Sequence, residues 1–393
     1  MFTYENGIVG LMSLTFGFLF FDRLALNYLV PFVAKDLNLN NTQIGLLAAG
    51  LSLTWAISSY VTTAWSDKND KHKTTFIVAI IVFSVCSFGS GLAAGFATLL
   101  VARLIMGLAE GPVIPLAQLF VERESTPSRL GLNVGLLQAI GSALFGSILA
   151  PVILIQIAEN LGWRNAFYIA GIPGLVLGLV VYLYLKPSTA KSAGMAKEGK
   201  PPIKEMMSYH NMKWGVPLAC AVFGWWFAII PFITRYFVDF QGMTTDMMQA
   251  TMGLLGVAML VYSIALPGLS DKFGRKPLLI IASVVGLLYP FAIYFFGGSS
   301  LQIPAMLLTY VMVGALPMVA AIVPSEAVPN HLKAKAIGFT TGCAEIVGGV
   351  IVPGISGGLS DAINESAFLW VAVALAALAL FFASKLQAKP VVQ

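Results

Sequence analysis

Seven ionisable side chains sit inside long apolar stretches: Asp22 and Arg23, Arg103 and Glu110, Arg235 and Asp239, and Glu345. A charge at the centre of a bilayer costs about 2.5–3.5 kcal/mol on insertion scales, so such groups face a cavity or a partner. Two kinds of chemistry fit them. A guanidinium grips a carboxylate through paired hydrogen bonds. A buried carboxyl exchanges protons, because burial favours its neutral form and a nearby arginine its ionised form. Asp22 and Glu110 are therefore read as proton carriers, and Arg23 as the clamp for a small organic anion. Arg103 precedes Glu110 by seven residues, about two turns on the same helix face and roughly 10 Å away. Neighbours on a helix point ~100° apart, so Asp22 and Arg23 must face different partners.

Charge balance couples the two chemistries. With no anion bound, ionised Asp22 and Glu110 neutralise Arg23 and Arg103. An anion alone would leave excess negative charge in a low-dielectric site, which is costly. Protonating the carboxyls frees the arginines for the anion and restores neutrality. The competing reading is a fixed ion-pair network tying the first and fourth helices together. Asn27, Tyr28, Trp55 and Gln138 are polar or aromatic candidates to line the same site, as are Trp225, Trp226 and Tyr310, although aromatics in such helices are more often packing or interfacial residues. From the second half, Arg235, Tyr236 and Glu345 are candidates. Arg235 also fits a snorkelling side chain paired with Asp239 one turn away. Glu345 lies among Gly338, Gly342, Gly348 and Gly349, small residues that let helices approach closely.

The elements that must position these groups follow from composition. Of 393 residues, 58% are hydrophobic and 10% charged, with a mean hydropathy of +0.84. Soluble domains carry about 25% charged residues, so the solvent is a lipid bilayer. A spanning helix needs about 20 apolar residues. Such segments fall near residues 7–33, 42–65, 74–96, 98–121, 131–157, 164–185, 213–240, 246–268, 277–297, 302–324, 334–357 and 366–384. This predicts an all-α membrane protein with 12 transmembrane helices in two pseudo-symmetric six-helix bundles, residues 1–185 and 213–393, joined by a polar cytoplasmic linker over 186–212. Under that count, 18 of the 23 basic residues fall in loops on one face. Cytoplasmic loops are the basic ones, which places both termini in the cytoplasm. The first apolar segment is too long, and lacks the basic flank, for a cleaved signal, so it is expected to be the first span. The compact loops and short N-terminus lead us to expect a bacterial inner membrane.

The halves repeat. Asp67, after the second helix, recurs as Asp271 after the eighth, 204 positions on. Glu124-Ser125-Thr126-Pro127, after the fourth, recurs as Glu326-Ala327-Val328-Pro329 after the tenth, 202 positions on. Two marks at nearly one offset indicate a duplicated unit, the construction of secondary transporters with a midplane site. Asp67, Asp271, Arg275, Glu124 and Glu326 are expected to form ion pairs on the cytoplasmic face that open and close with conformation. Helix 10 has no charge over 302–324, whereas helix 4 has two, so the proton machinery is expected in the first half.

The stretch Gly268-Leu269-Ser270-Asp271-Lys272-Phe273-Gly274-Arg275-Lys276 resembles the major facilitator signature, and Arg103, Gly107 and Gly111 its helix-4 pattern. The first copy of the loop signature keeps Asp67 and the basic residues but not the glycines. Finer marks resemble the anion:cation symporter branch, which holds sugar-acid/proton symporters and sialic-acid transporters. They are Phe21-Asp22-Arg23 with Asn27 and Pro31, Asp36-Leu37-Asn38-Leu39 followed by Gln43-Ile44-Gly45, Arg103 to Met106 with Glu110, and Gly162-Trp163-Arg164 with Phe167. That resemblance implies alternating access and proton symport of a carboxylate such as a sugar acid or aromatic acid, and gives Gln138 a substrate role. Helix 7 departs from the branch at Phe232-Ile233-Thr234-Arg235-Tyr236. Spinster-like lipid transporters share an acid–arginine pair in helix 1 and remain a rival, as do a proton-driven exporter and a passive facilitator. Helix 5 lacks the exporters' Gly-Pro run.

Other classes find little support. The basic residues form no run interleaved with aromatics, so nucleic acid is not an expected partner. Cys86, Cys220 and Cys343 are scattered in apolar segments, in no metal-ligand or disulfide spacing. No cofactor is expected, and the fold is expected to work as a monomer. Gly354-Ile355-Ser356-Gly357-Gly358 matches a hydrolase elbow, but His72, His210 and His331 all fall in loops on the opposite face. An integral-membrane enzyme would need a catalytic cluster that the sequence does not display.

Overall fold

The computed structural model describes residues 3–126, 128–186 and 203–387. Among them, 12 helices are long and apolar enough to cross a membrane. In the first half these are α1 (Tyr4–Asp36), α2 (Asn41–Asn69), α3 (His72–Gly91), α4 (Phe96–Glu124), α5 (Leu130–Leu161) and α6 (Trp163–Tyr184). In the second they are α7 (His210–Phe240), α8 (Thr245–Phe273), α9 (Arg275–Phe295), α10 (Gln302–Glu326), α11 (Asn330–Ala362) and α12 (Ala367–Lys385). Helices satisfy every backbone group within the segment, which is what lipid demands of a spanning element. Large apolar side chains such as Leu183, Ile264 and Leu308 stay exposed on helix flanks, as suits a hydrocarbon solvent.

The spans agree with the sequence reading to within several residues, with one instructive difference. Ser270-Asp271-Lys272-Phe273, expected in a loop, continues α8, and Gly274 alone at φ +91° turns the chain into α9. Arg275 reaches back across that turn to Asp271 and to the Ser270 hydroxyl, so the charged signature is a helix end rather than a free loop. Most of the expected linker lies outside the described residues. Its described end holds a short turn, Ile203–Met206, before α7.

Two compact units result. One comprises residues 1–39, 50–198 and 245–256, and the other residues 40–49, 199–244 and 257–393. The first turns of α2 thus group with the second half, and those of α8 with the first. The same neighbours recur in each half: α3 lies along α6 as α9 lies along α12, and α1 along α5 as α7 along α11. The first-half core is built on Phe16, Phe76, Phe83, Met106, Leu116 and Phe120.

Several helices change pitch internally. α4 breaks at Gly111-Pro112 directly after Glu110. Pro112 has no N–H to give the Leu108 carbonyl, and the Ser58 hydroxyl of α2 donates to that carbonyl instead, at 2.5 Å. α5 widens into a π-helical stretch over Ala139–Leu149, and α11 does so over Ile346–Ile351. These begin immediately after Gln138 and Glu345. Such wide turns are found often at functional sites.

Candidate functional site

Asp22 and Arg23 lie near the middle of α1, Trp55 at the middle of α2 and Glu110 at the middle of α4, so mid-helix depth is shared by all four. Asp22, Arg103 and Glu110 are almost wholly enclosed, at 0%, 1% and 0% exposure. The two neighbours on α1 point apart. Asp22 faces α3 and α6, where its Oδ1 lies 2.6 Å from the Ser87 hydroxyl. Arg23 faces α2 and α4. Its guanidinium lies over the Trp55 ring at 4.8 Å, a cation–π contact, and its Nη1 is 3.7 Å from Glu110 Oε2.

Arg103 approaches the same cluster from one face of α4. Its Nη1 donates to the Arg23 carbonyl and to Met106 sulfur, both at 3.4 Å, and its guanidinium lies 5.8 Å from the Phe167 ring centre. Two carboxyls and two guanidiniums therefore share one enclosed region with formal charges that can cancel. They are nonetheless loosely joined. Asp22 Oδ2, both Glu110 oxygens, Arg103 Nε and Nη2, and Trp55 Nε1 are buried and make no hydrogen bond among the described residues. Leaving a buried polar group unsatisfied costs about 1–3 kcal/mol, more when it is charged.

α4 is held against α2 by direct backbone contact. A methyl group at Gly107 would overlap the Thr54 hydroxyl and the Leu51 carbonyl, and one at Gly111 would overlap the Ser59 amide and Ser58. Small residues permit this approach, and it holds the stretch of α4 that carries Glu110 against the middle of α2.

The other candidates occupy distinct places. Asn27 is half-buried on α1, one turn beyond Arg23. Tyr28 is buried, and its hydroxyl donates to the Gly146 carbonyl at 2.9 Å, strutting α1 against α5. Gln138 is exposed at the start of the wide turn of α5, and Glu345 is half-buried at that of α11. Arg235 donates to Asp239 Oδ2 and to Asn41 Oδ1, each at 3.2 Å. Asn41 in turn reaches Glu365, while Asp361 accepts from the Asn41 and Thr42 amides at 2.9 and 2.7 Å. Arg235 is thus a member of a polar network at one helix end, apart from the mid-helix cluster. Tyr236 packs edge-on to Phe368. Trp225, Tyr289 and Tyr310 form a buried aromatic cluster, with Trp226 Nε1 donating to the Tyr310 hydroxyl.

At the opposite helix ends, Arg275 grips Glu326 through Nε and Nη2 at 2.7–3.2 Å while holding Asp271. The first half builds its counterpart differently. His72 sits between Asp67 at 3.4 Å and Asp70 at 3.5 Å, with the Ser66 hydroxyl 3.2 Å away. Glu124 is exposed at the end of α4, and the following stretch is held by Glu5 of α1, which accepts from the Thr126 amide and from Asn133.

Sequence reasoning gave no role to Ser87, Glu5 or Asp361, and it placed in a loop His72, which is buried at the start of α3. The two stretches Asp36 and Trp163-Arg164, which carried the family resemblance, meet: Asp36 Oδ2 accepts from Arg164 at 2.5 Å and from Trp163 Nε1 at 3.2 Å. They clamp α1 to α6. Ser356 of the hydrolase-like pattern is buried inside α11.

A twelve-span helical protein with duplicated halves and ionisable groups at mid-helix is a membrane transporter in class, not an enzyme. The chain belongs to the Major Facilitator Superfamily, whose sequence profile matches residues 12–353. It is 28% identical to the hexuronate transporter of Bacillus subtilis (strain 168) over 61% of its own length and 59% of that protein's. It is 24% identical to a sialic acid transporter of Escherichia coli (strain K12) over 84% of its length and 81% of the relative's. Among solved structures, a bacterial homologue of the human lysosomal transporter Spinster, inward-facing and unoccupied, superposes with a TM-score of 0.76 over 98% of this chain and 96% of that one, at 16% identity.

Proposed function

We propose that this protein takes up a small organic anion, a carboxylate such as a sugar acid or aromatic acid, together with protons by alternating access. The observation that carries the proposal is the set of buried atoms of Asp22, Glu110 and Arg103 that make no hydrogen bond among the described residues. A fixed ion-pair network closes its hydrogen bonds, as Arg275 does with Glu326 at 2.7–3.2 Å. Arg23 and Glu110 stand 3.7 Å apart, and Arg103 leaves two nitrogens unused. The two Arg103 nitrogens suit an incoming carboxylate, and the Glu110 and Asp22 oxygens suit protons.

In this reading, protonation of Asp22 and Glu110 releases Arg23 and Arg103 to the anion, and the loaded site stays neutral. Names of relatives that move hexuronate and sialic acid support an acidic cargo. The basic face bearing Asp67 and Asp271 is the cytoplasmic one, in a bacterial inner membrane. The likeness to the Spinster homologue reports fold alone at its identity, and nothing in the cluster favours a lipid tail over an anion.

The test is Glu110→Gln in proteoliposomes. Proton-driven accumulation of the anion should disappear while exchange across the membrane persists. Normal accumulation by the variant removes Glu110 from the coupling step. A panel of organic acids, assayed with and without a pH gradient, identifies the cargo, and alkalinisation outside on addition of substrate separates symport from export and from uniport.

A further inference from the structure

α3 carries three serines at helical spacing, and one behaves unlike the other two. Ser84 and Ser90 turn back on their own helix, donating to the Ile80 and Cys86 carbonyls at 2.8 and 2.9 Å. This is the ordinary behaviour of serine inside an apolar helix. Ser87 instead stands between two other helices. Its Oγ is 2.6 Å from Asp22 Oδ1 on α1 and 2.9 Å from the Phe167 carbonyl on α6. All three groups are buried.

A serine hydroxyl carries one hydrogen. If Asp22 is ionised, both close neighbours of the Ser87 hydroxyl are acceptors, and three oxygens gather around a single proton. One of the two short contacts is then an oxygen facing an oxygen with nothing between them. If Asp22 is protonated, the arrangement closes: the carboxyl donates to Ser87, and Ser87 donates to the Phe167 carbonyl. The carbonyl is fixed by α6 and can only accept. We infer that Ser87 is a positioning residue that holds Asp22 in its protonated form by accepting the carboxyl proton while its own hydroxyl is committed to Phe167.

The inference rests on the proton-carrying role proposed for Asp22. Other charged or titratable groups stand around that carboxyl: Arg103 and Glu110 on α4 and the Cys86 thiol on α3, with Arg23, the next residue on α1, paired to Glu110. Ser87 is the hydrogen-bonding neighbour, and its geometry matches the neutral form. Proton release then requires the Ser87 hydroxyl to rotate from Phe167 toward Asp22, which makes the serine a two-position rotor tied to the protonation state.

The experiment is anion uptake against external pH in proteoliposomes containing the full chain. Uptake requires protonated Asp22, so it falls as pH rises. Removing the acceptor destabilises the neutral carboxyl, and a lower pH is then needed to protonate it. Ser87→Ala should therefore move the pH of half-maximal uptake downward by about one unit, the size expected for one hydrogen bond. Ser87→Thr, which keeps the hydroxyl, should stay near the parent value. An upward shift would mean that Ser87 donates to a carboxylate, and an unmoved curve that it does neither; both overturn the inference. Should Ser87→Ala fail to give a monodisperse protein, Ser87→Cys replaces it with the same expected direction, a thiol being a weak acceptor. Asp22→Asn separates the two levels. If it keeps proton-driven accumulation, the proposed role of Asp22 fails. If it loses accumulation while Ser87→Ala leaves the curve in place, only the Ser87 inference fails.

Discussion

The two halves share a helix order and the same neighbour pairs, yet they fill their centres differently. Stepping 203 residues, between the two motif offsets, carries Asp22 and Arg23 onto Trp225 and Trp226. The first half places carboxyls and guanidiniums there with polar atoms left over. The second places Trp225 at 0% exposure against Tyr289 and Tyr310, with an uncharged Nε1 as the polar atom that makes no hydrogen bond among the described residues. The fold therefore needs bulk at that position and does not need charge. Ionisable groups in the first half are an expense that architecture does not require, which is why they are read as machinery. At the helix ends the contrast runs the other way: the second half has a tight arginine clamp, and the first a histidine between two aspartates.

The contrast breaks first at Arg23. Arg23→Ala should weaken apparent anion affinity roughly 100-fold, about 2.7 kcal/mol, as loss of a charge-assisted pair implies. Its thermal stability should fall little. Uptake kinetics read the first effect and a melting curve in detergent the second; a large loss of stability with affinity intact would make the cluster a structural network after all. The matching change in the other half, Trp225→Ala, should cost about 3–5 kcal/mol of stability by leaving an aromatic-sized cavity. Coupling in that variant should be retained in whatever protein folds, so the ratio of proton to anion flux is the number to compare. Arg275→Ala opens the clamp on Glu326. These groups are partly exposed, so the expected stability loss is only about 1 kcal/mol or less, with the effect appearing as altered rates of exchange. The smallest effect is expected from His72→Arg, which copies the second half's chemistry into the first. A permanent cation between Asp67 and Asp70 should flatten whatever pH dependence exchange draws from this end, changing rates by roughly 2–3-fold, in line with an energy difference under 1 kcal/mol. An unchanged pH profile would show that the imidazole is silent.

Much of the fold is legible in the sequence because a bilayer restricts what a chain can do. Length, apolarity and the sidedness of lysine and arginine leave little freedom for twelve spans. The mid-helix charges are legible for the same reason: Asp22, Arg23, Arg103 and Glu110 stand out against apolar neighbours. Their partners are not. Ser84, Ser87 and Ser90 look alike in sequence, and only the packing of α1 and α6 against α3 singles out the middle one. Tyr28 and Gln138 are equally plausible polar residues, but the structure gives one a carbonyl 118 positions away and leaves the other exposed. Asp361 caps the start of α2 across 320 residues, a separation over which spacing carries no information.

The glycine crossing of α2 and α4 has a mechanical consequence. The contacts of Gly107 and Gly111 fall on Leu51 to Ser59, which brackets the midpoint of the 29-residue α2. A rod pinned at its centre is a lever with equal arms: lateral displacement of the Asn41 end appears, reversed and undiminished, at the Asp67 end. Glu110 sits between the two contacts, at the fulcrum, where such a rocking motion displaces it least.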